Sequence, residues 1–269
     1  MKSQVIFDNK EVADQYTKLS HHYDDWFSVQ WPEPVHIQGQ AIDKICKAHH
    51  LPASARVLDL TCGIGTQSIG MALLGHQVTA LDISEGQLEK AKFEADKIKP
   101  DLPIDWVLGD ATVPEEYVSG SYDLIMSFGN SYPLLGTSEA IEASLQSCLT
   151  LLNPGGVLLI SMRDHTELCE RRPYLMGSGK LNNGDRQGVW IETGDWLEGE
   201  NRYISHIMFI MTEPQHEEHY FPFPPLVALT KDEFLNMLEQ AGYAAPEFFE
   251  KAQHPEFSCP LYMAKKETK

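Results

Sequence analysis

The sequence has few cysteines, and none of them shows the spacing of a metal site. The five are Cys46, Cys62, Cys148, Cys169 and Cys259. Structural zinc sites use ligand pairs separated by about two to four residues, and disulfide-rich secreted domains use an even set of cysteines. We therefore expect reduced thiols, a cytoplasmic protein and no bound metal.

The sequence also lacks long apolar runs and is poor in basic residues. No stretch is long enough to span a bilayer, and the first residues lack the apolar segment of a secretory signal. Lys and Arg number 21 against 39 Asp and Glu, which gives a formal net charge of −18. Because nucleic-acid binding depends on clustered Lys and Arg, this charge disfavours phosphate backbones as partners. The expected partner is a small-molecule substrate, with no nucleic acid and no membrane.

The most informative segment runs from residue 56 to residue 66. It predicts a buried strand that leads into a Gly-x-Gly loop and then into a helix. Gly63 and Gly65 let a ligand approach the backbone, and the free N–H groups of the helix start face that ligand. A second strand ends in Asp82, whose carboxylate can accept hydrogen bonds from two ribose hydroxyls. An adenosine-containing cofactor is therefore expected at the carboxyl edge of a parallel sheet.

Asp59 discriminates between the possible cofactors. A carboxylate so close to the glycine loop would repel a pyrophosphate and attract an ammonium group. Ser68 also stands where a dinucleotide-binding loop would have a third glycine or an alanine. S-adenosyl-L-methionine carries an ammonium and a sulfonium and has no pyrophosphate. The run from Asp59 to Thr66 thus resembles motif I of class I methyltransferases; the alternative is a tight turn in another doubly wound protein.

The chain is long enough for one elaborated α/β domain, which we expect to span residues 1–269. Strand and helix patterns alternate between residues 56 and 162, with two last strands near the C-terminus. This alternation predicts a doubly wound, seven-stranded, mostly parallel sheet. The resemblance to motif I implies that this sheet is of the Rossmann-like, class I methyltransferase type. Residues 184–229 are extended and interrupted by prolines, which predicts an antiparallel β flap inserted into that domain.

Residues 1–50 are predicted to be helical before the first strand of the sheet. They contain an aromatic cluster of Tyr16, Tyr23, Trp26, Phe27 and Trp31. These rings fit two interpretations: a lid that borders a cationic sulfonium or ammonium, or ordinary packing of an N-terminal helix on the sheet.

Ligands of open α/β sheets bind beyond the carboxyl ends of the strands, and the residues at those ends are the expected cofactor site. They are Asp59, Cys62, Gly63, Gly65, Thr66, Asp82, Ile83, Asp110, Ala111 and Phe128. Asp110 is placed to accept a hydrogen bond from the adenine amino group, with Ile83 and Ala111 as apolar contacts to the ring. The alternative for Asp110 is a turn-starting aspartate.

Three further elements resemble the glycine N-methyltransferases and the bacterial glycine/sarcosine methyltransferases, over roughly residues 55–165. They are Ser68-Ile69, Gly129-Asn130-Ser131 and Met162-Arg163-Asp164-His165. The resemblance implies that Asn130 and Arg163 hold an amino-acid substrate, and we consider His165 as a general base. An Arg fork gripping a carboxylate would align the acceptor for in-line transfer; the alternative for Arg163 is a structural ion pair with Asp164 or Glu167.

The expected function is methyl transfer from S-adenosyl-L-methionine to a small-molecule acceptor, an amine or amino-acid nitrogen. Three alternatives remain open. Two share the fold, namely an O-methyltransferase and a tRNA-modifying methyltransferase, and the third is a non-catalytic cofactor-binding protein.

Overall fold

The computed structural model describes residues 9–23 and 31–268. Its helices are α1 (Asn9–Leu19), α2 (Glu33–Ala48), α3 (Thr66–Leu73), α4 (Glu85–Ile98), α5 (Ser138–Leu151), α6 (Thr166–Arg171) and α7 (Lys231–Ala241). Its strands are β1 (Arg56–Asp59), β2 (Gln77–Asp82), β3 (Ile104–Leu108), β4 (Tyr122–Ser127), β5 (Leu152–Ser161), β6 (Leu175–Asn183), β7 (Arg186–Trp196), β8 (Arg202–Glu213), β9 (Glu217–Pro222), β10 (Leu226–Val227), β11 (Ala244–Phe249) and β12 (Leu261–Lys265).

The main sheet has seven strands in the order β11-β12-β5-β4-β1-β2-β3. Five neighbouring strands of this sheet, β5, β4, β1, β2 and β3, run parallel to one another. Strand β12 is antiparallel to both of its neighbours. The chain therefore leaves from β1 in both directions, which places a crevice at the carboxyl ends of β1 and β4. The predicted doubly wound, mostly parallel seven-stranded sheet is confirmed.

Successive residues along the central strands face opposite sides of this sheet, and each side carries its own core. Leu58 of β1 packs with residues of α5 and α7, whereas Val57 packs with residues of α2, α3 and α4. Because helices cover both faces, the strands are apolar throughout instead of alternating with polar residues. This two-sided burial fixes the strand ends, and with them the loops that carry the candidate site.

The inserted antiparallel sheet has the order β10-β8-β7-β6, with β9 also paired to β8. It begins at Leu175, earlier than the predicted start at residue 184. The sequence analysis missed strand β6 because its glycine-rich sequence is typical of a loop. The ring of Trp190 on β7 lies over that strand: a Cβ added at Gly179 would be 2.5 Å from the Trp190 indole nitrogen. The glycines of β6 thus make room for a neighbouring side chain and do not mark a turn.

Helix α1 connects the two sheets. On one side it packs closely on α4, since a Cβ added at Gly86 would lie 2.9 Å from the Thr17 methyl carbon. Thr17 and Ser84 share a hydrogen bond of 2.9 Å between their hydroxyls. On the other side the ring of Tyr16 lies 5.1 Å from that of Phe223, in the inserted sheet's last connection. Trp26 and Phe27 lie outside the described residues.

Helices α2 and α3 cross at two glycines, and this crossing generates a stability prediction. A Cβ added at Gly70 would lie 2.5 Å from the Val35 carbonyl oxygen and 2.9 Å from the Gly39 Cα. Backbone atoms cannot swing away as side chains do, so Gly70→Ala should lower the free energy of unfolding by roughly 1–3 kcal/mol despite the better helix propensity of alanine. Urea unfolding followed by circular dichroism measures this change.

The matched control is Gln40→Ala on the exposed face of α2, which should change stability by no more than about 0.5 kcal/mol. A Gly70→Ala protein as stable as the wild type would mean that the two helices do not approach as closely as described.

Candidate active site

A cavity of about 440 Å³ opens at the carboxyl edge of the parallel strands. The loop between β1 and α3 and the segments that follow β2, β3 and β4 form its floor. Helices α1 and α2 and the connection between β11 and β12 form its roof. Eight of the expected cofactor residues line it: Cys62, Gly63, Thr66, Asp82, Ile83, Asp110, Ala111 and Phe128.

The two loop glycines have different tasks. Gly63 lines the cavity with a φ of 53°, and its N–H donates to the Asp82 carboxylate at 2.8 Å. Gly65 has a φ of 86° and lies behind the cavity wall, where a Cβ would be 3.1 Å from Ala91 and from Trp106. Gly63 is therefore open to a ligand, and Gly65 allows α3 to begin close against α4 and β3.

Asp82 joins the glycine loop to the start of α4. One carboxylate oxygen accepts from the Gly63 N–H and the other from the Ser84 N–H at 2.9 Å. Burial raises the pKa of Asp82 to about 6, although these backbone donors act in the opposite direction. Each oxygen retains a second lone pair, so the side chain can still accept hydrogen bonds from a ligand in the cavity.

Asp59 lies beneath the loop, not in the cavity wall. It is buried, and its side chain accepts a hydrogen bond from the Ser68 hydroxyl at 2.7 Å. Burial raises the pKa of Asp59 to about 7, and neighbouring Asp82 adds to the shift. Ser68, which replaces the third glycine of a dinucleotide motif, thus serves as the partner of this carboxylate. A cation bound above the loop would favour the ionised form.

Asp110 starts a turn and also faces the cavity, so the two interpretations of this residue are compatible. One of its oxygens accepts from the Thr112 N–H at 2.8 Å and from the Thr112 hydroxyl at 2.7 Å. The other accepts from the side-chain amide of Asn9 on α1. The helix over the cavity is therefore fastened to a residue expected to contact adenine.

The N-terminal aromatic residues divide between the two expected roles. Tyr16 and Tyr23 line the cavity, and burial raises the pKa of both hydroxyls well above the usual range, which keeps them protonated. Trp31 packs against a small core that contains Val35 and Ile69. The rings at the cavity are thus neutral surfaces that can border a cation.

The three residues expected to hold or activate the acceptor do not line this cavity. Asn130 has a φ of +66°, and its side-chain oxygen accepts from the Arg163 N–H at 2.9 Å. The Arg163 guanidinium is paired with Glu192 of β7, with nitrogen and oxygen 3.3 Å apart, and not with Asp164 or Glu167. Asn130 thus braces the end of β5, and the arginine faces the inserted sheet.

His165 is fully buried away from the cavity. Its Nδ1 lies 3.2 Å from the Leu229 carbonyl oxygen, and its Nε2 has no protein partner among the described residues. Burial and the nearby Arg163 charge lower the pKa of His165 to about 4, so the ring is neutral at physiological pH. A general base must reach the proton that it removes, and this geometry does not bring His165 to the cavity.

Several lining residues have no counterpart among those expected from the sequence. The connection between β11 and β12 contributes Lys251, Glu256, Phe257 and Ser258. The Phe257 ring lies 4.8 Å from that of Phe128, which secures this connection over the end of β4. No local pattern marks these residues, because their position depends on β12 inserting antiparallel beside β5.

Within residues 9–23 and 31–268, no group of three or more His, Cys, Asp or Glu side chains is arranged to hold a metal ion. The same part of the chain contains no helix that is long and apolar enough to cross a bilayer. All five cysteines are free thiols.

The family whose model matches this chain is described as "Methyltransferase domain", over residues 57–156. That range contains the glycine loop, Asp82, Asp110, nearly all of β1, the whole of β2, β3 and β4, and the start of β5. Residues 57–156 of this chain thus match a methyltransferase domain, and the seven-stranded sheet has the fold of the class I, S-adenosyl-L-methionine-dependent methyltransferases. The predictions of a methyltransferase enzyme and of its cofactor are confirmed at that level.

Three curated relatives differ in the part of the chain that they match. Ubiquinone biosynthesis O-methyltransferase of Xanthomonas axonopodis pv. citri is 28% identical over 159 residues, 59% of this chain and 63% of its own. Glycine N-methyltransferase of Rattus norvegicus is 30% identical over 41% of each chain. The S-adenosyl-L-methionine-dependent Diels-Alderase iliD of Neonectria sp. is 26% identical over 91% of this chain and 83% of its own. This chain thus spans only about three fifths of the length of the ubiquinone methyltransferase, and about two fifths of that of the glycine methyltransferase.

Solved structures of methyltransferases share the fold along nearly the whole length of this chain. DesVI of Streptomyces venezuelae superposes with a TM-score of 0.72 at 18% identity and covers 91% of this chain and 98% of its own. CalS10 of Micromonospora echinaspora, an amino pentose methyltransferase solved with S-adenosylmethionine, has a TM-score of 0.70 at 17% identity and covers 99% and 100%. At such identities the likeness establishes the fold alone.

The burial of Asp59 beneath the glycine loop generates a prediction about how stability depends on pH. An unfolded aspartate has a pKa of about 4. Because folding raises the pKa of Asp59 to about 7, the folded state holds a proton that the unfolded state loses as the pH rises between these values. The contribution of Asp59 to the stability of the ligand-free protein should therefore be lower at pH 8 than at pH 5. Asp59→Asn should stabilise it at pH 8, on the order of 1–3 kcal/mol, and have little effect at pH 5.

Urea unfolding at the two pH values measures this effect, with exposed Asp96→Asn as the control. The same Asp59→Asn change should weaken binding of S-adenosyl-L-methionine by about tenfold or more, because the ammonium loses its counter-charge. A variant that is less stable than the wild type at pH 8 would contradict the account of Asp59 as an uncompensated buried charge.

Proposed function

We propose that this protein transfers the methyl group of S-adenosyl-L-methionine to the nitrogen of a small amine. The observation that carries this proposal is the charge of the cavity wall. Among the described lining residues, Asp82, Asp110 and Glu256 contribute carboxylates and Lys251 contributes the single cation. Such a wall favours both a cationic cofactor and an amine acceptor.

The proposed cofactor contacts follow from the cavity geometry. Asp82 accepts hydrogen bonds from the ribose hydroxyls with its spare lone pairs, and Asp110 accepts one from the adenine amino group in place of Asn9. The backbone at Gly63 lies under the methionine part, above the buried Asp59. Phe128 and the neutral ring of Tyr16 border the sulfonium.

Methyl transfer itself demands little chemistry from the protein. The sulfonium is already an activated leaving group, so the main task is to align an acceptor lone pair with the methyl carbon, and orientation of this kind contributes up to ~7–11 kcal/mol. An amine attracted by this acidic wall arrives as an ammonium ion and must lose a proton before its lone pair can attack the methyl carbon. The carboxylate of Glu256, which the proposed cofactor contacts leave unused, lines the cavity and can accept that proton. Because the charge of the wall attracts a cation, it supports nitrogen over oxygen as the acceptor atom.

A second candidate has its own support, because the relative matched over 91% of this chain is named a Diels-Alderase. A Diels–Alder reaction joins a diene and a dienophile and transfers no methyl group. The formation of S-adenosylhomocysteine therefore separates this candidate from the first. We also infer a small-molecule substrate and a reducing, cytoplasmic setting, which the net charge of −18 and the five free thiols support.

The central prediction is that the protein binds S-adenosyl-L-methionine with a dissociation constant at or below about 1 μM, roughly −8 kcal/mol, and converts it to S-adenosylhomocysteine when an amine is supplied. Calorimetry measures binding, and mass spectrometry of reactions with amino sugars, amino alcohols and catechols measures the acceptor class. Methylated catechol without methylated amine would make the enzyme an O-methyltransferase. Cofactor binding without S-adenosylhomocysteine from any acceptor would favour the second candidate.

Asp82→Asn tests the ribose contact. Asparagine keeps the shape of aspartate but has one acceptor oxygen instead of two. Its amide group would therefore face one of the two backbone N–H donors, and the ribose would lose a hydrogen-bond acceptor. We expect cofactor affinity to fall by about 10- to 100-fold. Asp105→Asn, at an exposed position on β3, is the matched control. Equal affinities for the two variants would remove Asp82 from the cofactor site.

A further inference from the structure

Gln87 is a buried residue of the cavity wall that has an unused hydrogen-bond acceptor. It lies in the first turn of α4, is 1% exposed and lines the cavity. Its side-chain nitrogen, Nε2, donates to the Tyr16 carbonyl oxygen of α1 at 3.1 Å. Its side-chain oxygen, Oε1, has no hydrogen-bond partner within residues 9–23 and 31–268. Among the described residues that line the cavity, Gln87 is the one with a buried polar side-chain atom left in this state.

The orientation of this amide follows from its contacts. A carbonyl oxygen can only accept a hydrogen bond, so the end of the amide that faces Tyr16 is the nitrogen. The backbone N–H of Gln87 donates to the Ser84 hydroxyl at 3.2 Å, which holds the residue at the helix start. The contact with α1 therefore uses the nitrogen and leaves the oxygen available for another partner.

This oxygen borders the space above the glycine loop. A Cβ added at Gly63 would lie 3.7 Å from Gln87 Oε1. The N–H of Gly63 is not available as a donor, because it is already bonded to the Asp82 carboxylate at 2.8 Å. A buried acceptor that lacks a donor is unfavourable. The donor for Gln87 therefore has to come from what fills the cavity.

S-adenosyl-L-methionine has three kinds of hydrogen-bond donor, and the proposed contacts account for two of them. The adenine amino group is assigned to Asp110, and the two ribose hydroxyls match the two spare lone pairs of Asp82. The third donor is the ammonium of the methionine part, which lies above Gly63 in the same proposal. The carboxylate and the sulfur of the cofactor have no hydrogen to donate. The ammonium is thus the group that matches the position and the chemistry of Gln87 Oε1.

We propose that Gln87 is a cofactor-binding residue, whose Oε1 accepts a hydrogen bond from the ammonium group of the methionine part while its Nε2 holds α1 over the cavity. This inference rests on the proposed function and adds a contact to its cofactor site. Asp59 supplies charge beneath the loop, whereas Gln87 supplies direction, because a hydrogen bond is sensitive to distance and angle. The amino-acid end of the cofactor and the Tyr16 segment of the roof thereby share one side chain.

Gln87→Met tests this contact, because methionine is similar in length to glutamine and has no oxygen acceptor. The probes are S-adenosylhomocysteine and 5′-methylthioadenosine, which share adenine, ribose and a thioether and differ in the amino-acid group. Calorimetry measures both affinities, and their ratio is the readout. We expect the variant to lose about tenfold or more in affinity for S-adenosylhomocysteine relative to 5′-methylthioadenosine, since only the first ligand has an ammonium to bind.

Two further variants separate ammonium binding from a structural effect. Gln87→Glu keeps an acceptor oxygen whether its carboxyl group is ionised or protonated, so its affinity ratio should be no lower than that of the wild type. Gln146→Met, at an exposed position of α5 outside the cavity wall, should leave both affinities unchanged. A glutamine that merely holds α1 in place would change the affinity for both ligands by the same factor.

The outcomes separate this inference from the proposed function. Failure of the wild type to bind S-adenosylhomocysteine would overturn the proposed function and the inference with it. If the wild type binds it and Gln87→Met leaves its affinity or the ratio unchanged, the inference alone is overturned; an equal loss for both ligands would assign Oε1 to the ribose. If Gln87→Met does not fold, Gln87→Glu decides, and a ratio below that of the wild type overturns the inference.

Discussion

The burial of carboxylates at the carboxyl edge of the main sheet is the constraint on which the rest of the site depends. Asp82 receives one backbone N–H from the glycine loop and another from the start of α4, so a single side chain sets the distance between two ligand-contacting segments. Asp59 lies below with Ser68 as its side-chain partner. Both carboxylates are less stable as anions here than in water, as their raised pKa values indicate. A cation bound above the glycine loop would therefore favour the ionised forms of both carboxylates.

Helix α1 lies between the cavity and the inserted sheet. Asn9 reaches Asp110 at one end of the helix, and Gln87 donates to the Tyr16 carbonyl oxygen at 3.1 Å near its middle. The Ser84 hydroxyl caps α4 by accepting from the Gln87 N–H at 3.2 Å, while the Gln87 side chain makes this contact with α1. The start of α4 therefore also attaches the helix that roofs the cavity.

The parts of this structure that the sequence predicts are those governed by local patterns. Strand periodicity, the Gly63 loop and the acidic residue after β2 depend on neighbouring residues, so the sheet and the cofactor side of the cavity follow from them. Strand β6 does not, because its glycines accommodate the Trp190 ring on another strand. The sequence pattern places Arg163 at the end of β5, but its partner Glu192 comes from the inserted sheet. Only tertiary structure brings those two charges together.

This division separates the part of the cavity that the family model covers from the part that lies beyond it. The segments that face the cofactor are continuous with the parallel sheet, whose strand order and two-sided core leave little freedom. The connection between β11 and β12 also lines the cavity, whereas the inserted sheet contributes none of the described lining residues. The family model ends at residue 156, before both of them begin. Relatives that share only the central region therefore inform on the cofactor, and acceptor choice has to be derived from the residues of this chain, beginning with the cavity residues of the connection between β11 and β12.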